Sequence, residues 1–237
     1  MIKEVVSVEV SLPFRVFSTN VVQLIQDWAE EHSAKFKRQL ATFSKTEVVS
    51  LLSQIEAMMY GKPKSVVDLV EVGAKAIIDT ARAVKASAGN PDFAGFEGRG
   101  NELTCVDIDP LMFNNVWGAA RSDWEYYVSS AGVADYIGTD ASPESTAEEE
   151  GYVILGFEDP VPEPIVIRAQ LIRDGDKLQY VSLRFTGDYP VAALPEPWVI
   201  LPEQTFQIKV RTSSAGKTKL KPIGFKIMRA KVAIESL

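Results

Sequence analysis

The chain has 237 residues, of which 46% are hydrophobic and 24% are charged, a composition typical of globular proteins. Its formal net charge is −7, whereas binding to a nucleic-acid backbone requires a basic surface. We therefore expect nucleic acid not to be the main ligand. The single cysteine, Cys105, excludes a disulfide within the chain.

The hydrophobic runs are too short for a membrane span, which needs roughly 18 apolar residues. Charged residues and serines interrupt the N-terminal stretch MIKEVVSVEVSLPF, so it does not match a signal peptide. We expect a protein that is made in a cytoplasm, does not span a membrane and is not secreted through a signal peptide.

Residues 4–12 alternate between apolar and polar side chains, with Val6, Val8 and Val10 on one face. This pattern predicts a half-buried strand. The next segment has helical periodicity, so no neighbouring strand can form a hairpin with it. The strand must join the sheet of its own chain or a sheet of another subunit, because exposed strand edges are normally covered. Both arrangements stay open, and the second makes Val6, Val8 and Val10 candidate interface residues.

Three amphipathic helices are predicted next. The first covers residues 21–36, and the second begins at the capping box SKTE, residues 44–47. Gly61 and Pro63 end the second helix, and the third runs from about Ser65 to Gly89. Their short connections favour antiparallel packing.

The string CVDIDP contains Asp107 and Asp109 one residue apart, a spacing found in metal-dependent phosphotransfer sites. Pro110 suits the first position of a helix, so Asp109 is also a good N-cap. Ile108 and Phe113 have the spacing of a hydrophobic staple around that cap. We expect helix capping by Asp109 and a fourth helix over residues 110–131; a divalent-metal enzyme using Asp107 and Asp109 is an alternative.

Aromatic side chains concentrate on this fourth predicted helix. Tyr126 and Tyr127 would point about 100° apart, so one of them should leave the core and become a candidate subunit contact. Trp198, which lies between prolines, is a further candidate. It either packs in the core or forms a platform for a sugar or a protein.

The chain changes character near residue 150. Residues 139–151 are polar and acidic and are predicted to form a linker, with Glu148–Glu150 as a solvated run. After residue 151 the sequence predicts six to eight strands, including a hairpin at the turn RDGDK, residues 173–177. The predicted fold class is α+β: a mainly helical segment with an N-terminal strand over residues 1–150, then an antiparallel, jelly-roll-like β-sandwich over residues 151–237.

Catalytic and cofactor motifs are weak. Gly216-Lys217-Thr218 matches the end of a phosphate-binding loop, but Arg211 stands where the first glycine belongs and a strand follows. His32, the one histidine, falls on the apolar face of the first helix and has no partner for a zinc site. We predict no catalytic, cofactor-binding or metal-binding residues, no cofactor and no enzyme activity.

The C-terminal stretch LPEQTFQIKVRTSSAGKTKLKPIGFKIMR, residues 201–229, resembles the β-sandwich or jelly-roll domains of viral capsid and decoration proteins. The resemblance implies a non-enzymatic structural protein that self-assembles into a virion shell within the host cytoplasm. Its partners would be further copies of itself and other shell proteins. The alternatives are a β-sandwich module that binds a carbohydrate or a protein and, second, the metal-dependent enzyme.

Overall fold

The computed structural model describes residues 45–87, 103–185 and 190–229. The predicted strand with Val6, Val8 and Val10 and the first predicted helix with His32 lie outside these residues. Two helices come first, α1 (Lys45–Met59) and α2 (Lys64–Ser87). The strands follow: β1 (Leu103–Asp107), β2 (Tyr126–Val128), β3 (Gly132–Ile137), β4 (Glu144–Ser145), β5 (Glu150–Glu158), β6 (Val166–Arg173), β7 (Asp176–Ser182), β8 (Val191–Ile200), β9 (Thr205–Thr212), β10 (Gly216–Thr218) and β11 (Lys221–Arg229).

The strands form two antiparallel sheets packed face to face. The first sheet has the order β1-β11-β5-β8. The second sheet has the order β3-β9-β6-β7, with β4 also pairing with β9. A short ribbon of β2 and β10 completes the strand pairing. Helix α2 packs on β5, β8 and β11, and α1 contacts β1, so the helices cover the first sheet. The predicted α+β class, with helices followed by an antiparallel β-sandwich, is confirmed.

Two hydrophobic cores follow from the alternation of side chains along the strands. In β5, Tyr152 and Ile154 enter the core between the sheets, whereas Val153 and Leu155 enter the core beneath the helices. In β11, Phe225 joins the helix-side core with Ile223 and Ile227. Each large apolar side chain that is fully buried contributes roughly 1.5–3 kcal/mol, so the first sheet is stabilised from both faces.

Gly73 sets how closely α2 approaches the first sheet. A Cβ atom at this position would lie 2.4 Å from Leu155 Cδ2. Glycine is unfavourable inside a helix, yet here it leaves room for Leu155 in the helix-side core. The short distance between α2 and β5 therefore depends on the missing side chain.

The predicted fourth helix over residues 110–131 is wrong. Asp109 does cap a helical turn, because its Oδ1 accepts a hydrogen bond from Leu111 N at 2.9 Å, but the turn is a 3-10 helix that covers only Pro110–Met112. Beyond it, Trp117 and Gly118 have φ values of 53° and 84°. Left-handed residues reverse the chain, and the segment that follows forms β2 and β3 rather than a helix.

The prediction that the acidic stretch over residues 139–151 forms a linker with a solvated run of glutamates is wrong. The Glu144 and Glu150 side chains are buried, and β4 and the start of β5 lie within this stretch. Among the described residues the first strand begins at Leu103, well before residue 150. From β5 to β11 the described residues contain seven strands, within the predicted six to eight. The division into domains at residue 150 stays a prediction.

Candidate ligand-binding surface

The tyrosine pair proposed as a subunit contact lies on strand β2, so strand alternation, and not a helical angle, separates the two rings. Tyr127 is 66% exposed. Tyr126 turns inward and stacks on Trp117, with ring centroids 5.0 Å apart. The Arg121 guanidinium lies 4.5 Å from the centroid of the Tyr126 ring. Tyr126 is therefore a packing residue, and Tyr127 is the member of the pair that faces solvent.

Trp198 is buried in the core between the sheets and is 6% exposed. Its ring meets Phe206 edge to face, with centroids 6.1 Å apart. Such an arrangement is favourable for aromatic pairs in a core. Trp198 does not offer a ring face to a ligand, so the reading of this residue as a platform is wrong and the packing interpretation holds.

The two carboxylates of the CVDIDP string have structural partners. Asp107 forms an ion pair with Lys62, at 3.3 Å between Oδ2 and Nζ, while Asp109 caps the 3-10 turn. Among residues 45–87, 103–185 and 190–229, no group of three or more His, Cys, Asp or Glu side chains could hold a metal ion. Burial raises the pKa of the Cys105 thiol, which disfavours a reactive thiolate.

A cleft of about 100 Å³ opens between the α1–α2 turn and the ends of β1 and β11. Its charged side chains pair with each other: Lys62 with Asp107 and, at 2.6 Å, Lys221 with Glu158. Ligand pockets of small molecules measure about 300–1,000 Å³. This cleft is smaller, and its charges already compensate each other, so it is a poor candidate for a binding site.

The outer face of the second sheet carries a continuous line of polar side chains. In the strand register, Asp135 of β3 lies opposite Lys209 of β9, Lys209 opposite Gln170 of β6, and Gln170 opposite Tyr180 of β7. We call these four residues the polar row. Their sequence neighbours enter the core between the sheets, so the four side chains point away from it. With strands about 4.8 Å apart, the row is about 14 Å long.

One half of the polar row is a network of charges. Lys209 Nζ lies 2.6 Å from Asp140 Oδ2 and 3.7 Å from Asp135 Oδ1. Gln207 Nε2 also donates to Asp135 Oδ1, at 3.0 Å. The hydrogen bond to Asp140, reinforced by the charge of Asp135, raises the pKa of Lys209. The amine is therefore positively charged at neutral pH and held in place by two carboxylates.

The other half of the polar row combines an amide with an exposed ring. Tyr180 is 65% exposed, whereas the neighbouring Gln170 is 8% exposed. Gln170 Nε2 is covered and has no hydrogen-bond acceptor within the described part of the chain. A buried donor without a partner is unfavourable by about 1–3 kcal/mol. Because Gln170 Nε2 is covered, the Tyr180 ring is the group that offers a surface to a ligand at this end of the row.

The ribbon of β2 and β10 presents a different surface. Tyr127 lies opposite Lys217, and the Glu125 carboxylate accepts from both Lys217 and Lys219, at 2.5 and 2.9 Å. These two lysines lower the pKa of Glu125. All three charges therefore serve the ribbon itself.

Comparison with known proteins gives the following result. No protein-family model matches the chain, and no curated protein sequence matches it. Among solved structures, it is similar to the C-terminal CBM6 of LamC, a marine laminarinase from Zobellia galactanivorans, with 12% identity, a TM-score of 0.25, and coverage of 53% of this chain and 99% of that one.

Two family 35 carbohydrate-binding modules are also similar. One, from an environmental isolate, has 6% identity and a TM-score of 0.23 and covers 53% of this chain and 84% of its own. The other, from Clostridium thermocellum, has 11% identity and a TM-score of 0.23 and covers 54% and 93%. Similarities at this level carry no argument about function. Viral capsid proteins are not among these three matches.

No helix in the described ranges is both long and apolar enough to cross a membrane. The polar row was missed at the sequence level, although its parts were visible there. The alternation in TFQIKVRT places Gln207, Lys209 and Arg211 on one face, and the Asp-Gly turn predicts the β6–β7 hairpin. The register that brings Lys209, Gln170 and Tyr180 side by side cannot be derived from these signals.

Proposed function

We propose that the chain is a non-catalytic binding module that holds a carbohydrate on the outer face of its second sheet. The observation that carries this proposal is the polar row, in which an exposed tyrosine ring shares one face of the sheet with a fixed ammonium–carboxylate network.

The chemistry of the row suits a sugar. The C–H faces of a pyranose pack against an aromatic ring, and Tyr180 supplies such a ring with a polar hydroxyl at its end. Sugar hydroxyls both donate and accept hydrogen bonds. Lys209 supplies charged donors and Asp135 supplies charged acceptors for such hydrogen bonds. The length of about 14 Å exceeds one sugar ring, so an oligosaccharide fits better than a monosaccharide.

A large protein partner fits this face less well. The centre of a protein–protein interface is depleted in charged residues and enriched in aromatic ones. Here the two central strands, β9 and β6, present Lys209, Arg211 and Arg168 to the outside. A charged centre flanked by one exposed ring favours a ligand rich in hydroxyl groups.

The proposed test compares two tyrosines of equal exposure. Tyr180→Ala removes the ring of the polar row, and Tyr127→Ala removes the ring of the ribbon. Native affinity electrophoresis through gels that contain soluble glucans, xylans, mannans or galactans would identify a retarding polysaccharide, and titration calorimetry would give the affinity. We expect Tyr180→Ala to weaken binding about tenfold, as loss of a central aromatic residue does, and Tyr127→Ala to bind like the wild type.

Two results would contradict the proposal. One is the absence of retardation by every neutral and acidic polysaccharide tested. The other is the reverse ranking of the variants, with Tyr127→Ala defective and Tyr180→Ala normal, which would move binding to the ribbon.

The shell-forming role implied by the resemblance stays a separate prediction. Light scattering of the untagged chain over a wide concentration range tests it. A mass that stays monomeric supports a binding module, whereas growth into closed assemblies supports the shell protein and its candidate interface residues Val6, Val8 and Val10.

A further inference from the structure

Two arginines face each other beside the polar row. Arg168 of β6 and Arg211 of β9 are direct partners in the strand register, one step along from Gln170 and Lys209. Both are exposed, and their position in the register places both on the outer face of the second sheet. Val133 of β3 and Ser182 of β7 lie opposite them on the outer strands.

A β-bulge in β6 lies directly before Arg168. Val166 pairs with Thr212 and Arg168 pairs with Arg211, so Ile167 is the extra residue. Val166 and Ala169 are three residues apart, yet both enter the core between the sheets, which regular alternation does not allow. Bulges often redirect a side chain next to a functional site. From Arg168 to Arg173 the pairing with β9 is regular, so Arg168 faces outward by the same alternation as Gln170.

Two directly opposed arginines destabilise the sheet when no ligand is bound. Directly opposed side chains in an antiparallel pair have Cβ atoms about 4.5–5.5 Å apart, and like charges at this distance are destabilising. Among the residues that the structure describes, no carboxylate forms an ion pair with Arg168 or Arg211, whereas Lys209, on the same face, contacts both Asp135 and Asp140. The charge of Lys209 is therefore compensated by carboxylates, whereas the charges of the two arginines are not.

We propose that Arg168 and Arg211 bind an oxyanion carried by the sugar ligand, either a carboxylate or a sulfate ester. The inference rests on the proposed carbohydrate-binding function and adds the charge of the ligand. A guanidinium presents its N–H donors in a planar fork that matches an oxyanion in a bidentate way. Two forks on adjacent strands hold one oxyanion between them, while the rest of the oligosaccharide lies along the polar row.

A discrete anion on a sugar fits better than a nucleic acid. The chain has a formal net charge of −7, and Asp135 and Asp140 lie on the same side of the sheet as the arginine pair. These charges repel a phosphate backbone that carries a negative charge at every nucleotide. The test includes an oligonucleotide, because its tight binding would contradict this argument.

The test uses polysaccharides in matched pairs that share a backbone and differ in whether they carry the charged group. Polygalacturonate is compared with its methyl ester, and carrageenan with its desulfated form, by affinity electrophoresis and calorimetry. We expect the wild type to bind one charged member about tenfold more tightly than its neutral partner. Arg168→Gln and Arg211→Gln should each remove this preference and keep the weaker neutral binding. Arg82→Gln, an exposed change of equal charge on α2, should keep the preference.

The two charged probes separate the possible sources of the oxyanion, since a carboxylate is planar and a sulfate ester is tetrahedral. A preference that disappears as salt is raised agrees with the proposal, because exposed charges are screened. Thermal unfolding is the second readout. Without ligand, both Gln variants should unfold at or above the wild-type temperature because the repulsion is relieved. The charged probe should then stabilise the wild type alone.

Several results would overturn the inference. They are equal binding of charged and neutral probes, a preference that survives both Gln substitutions, and tighter binding of a single-stranded oligothymidylate than of any oligosaccharide. Failure of the proposed function looks different. In that case Tyr180→Ala would leave polysaccharide binding intact, whatever the arginine variants do.

Discussion

In both sheets of the sandwich, side chains alternate between the core and the outer face, but the two outer faces carry different kinds of side chain. The first sheet turns Leu155, Phe225 and Ile227 outward, and the helices cover them. The second sheet turns Lys209, Gln170 and Arg211 outward, and no described helix covers them. An apolar outer face has to be buried for stability, whereas a polar one can stay accessible. The outward-facing side chains of each sheet therefore decide whether that face is buried and stabilises the fold or stays accessible to a ligand.

The largest expected difference is in stability. Phe225→Ala removes a large side chain from beneath the helices and should lower the free energy of unfolding by about 3–5 kcal/mol. Tyr180→Ala, on the second sheet, should change it by no more than about 0.5 kcal/mol. Denaturant unfolding of both variants measures the contrast. Equal losses would mean that the second sheet is also covered and would break the comparison.

A second substitution tests how closely the helix packs on the first sheet. Ala normally replaces Gly within a helix with a gain in stability, but at Gly73 the new methyl group meets Leu155. Overpacking of this kind lowers stability by about 1–3 kcal/mol, so Gly73→Ala should be destabilising. The adjacent Val72→Ala is the control, because Val72 is exposed and Ala is the better helix former. A thermal scan in which Gly73→Ala is as stable as Val72→Ala would contradict the packing argument.

A polar residue on the second-sheet side can also be structural, and Glu144 is the example. Its Oε1 accepts from Asn115 N at 2.8 Å, and its Oε2 accepts from Asn114 N at 3.1 Å. Glu144→Gln replaces one carboxylate oxygen by an NH2 group, which donates and does not accept, so it should lower stability by about 1–3 kcal/mol without affecting ligand binding. Glu163→Gln, at an exposed site, is the matched control and should be neutral in the same unfolding assay.

The smallest effect concerns the charge of Lys209. Its pKa in the folded state is raised above the usual 10.5, so the ion pairs with Asp140 and Asp135 stabilise the fold below that value. This contribution is lost as the pH rises through the raised pKa. Exposed ion pairs contribute at most about 1 kcal/mol. Stability measured from neutral pH to about one pH unit above that usual value should fall less for Lys209→Gln than for the wild type.

The helices and the hairpin could be predicted because their signals are local. The capping box at residues 44–47 predicted a start that the structure places at Lys45, and the Asp174-Gly175 turn predicted the β6–β7 hairpin. Asp109 was correctly predicted as a cap. These features depend on a few neighbouring residues, so one sequence contains all the information they need.

The failures have a tertiary origin. Residues 110–131 have helical periodicity, but the left-handed conformation of Trp117 and Gly118 reverses the chain, and the Trp117 ring stacks on Tyr126. Burial of Glu144 depends on backbone N–H groups about 30 residues away in sequence. The arginine pair depends on the register between β6 and β9. Contacts between distant segments decide each of these features, and no local pattern reports them.

The positions of the tryptophans make the two layers of the molecule optically separable. Trp117, Trp124 and Trp198 all belong to the core between the sheets or pack against it, and neither α1 nor α2 contains a tryptophan. With Trp28 replaced by Phe, indole fluorescence follows the sandwich, and far-ultraviolet circular dichroism is dominated by the helices. Coincident curves during denaturation show that both layers unfold as one unit. An earlier loss of the helical signal shows that the sandwich, with its binding face, persists after the helical layer has unfolded.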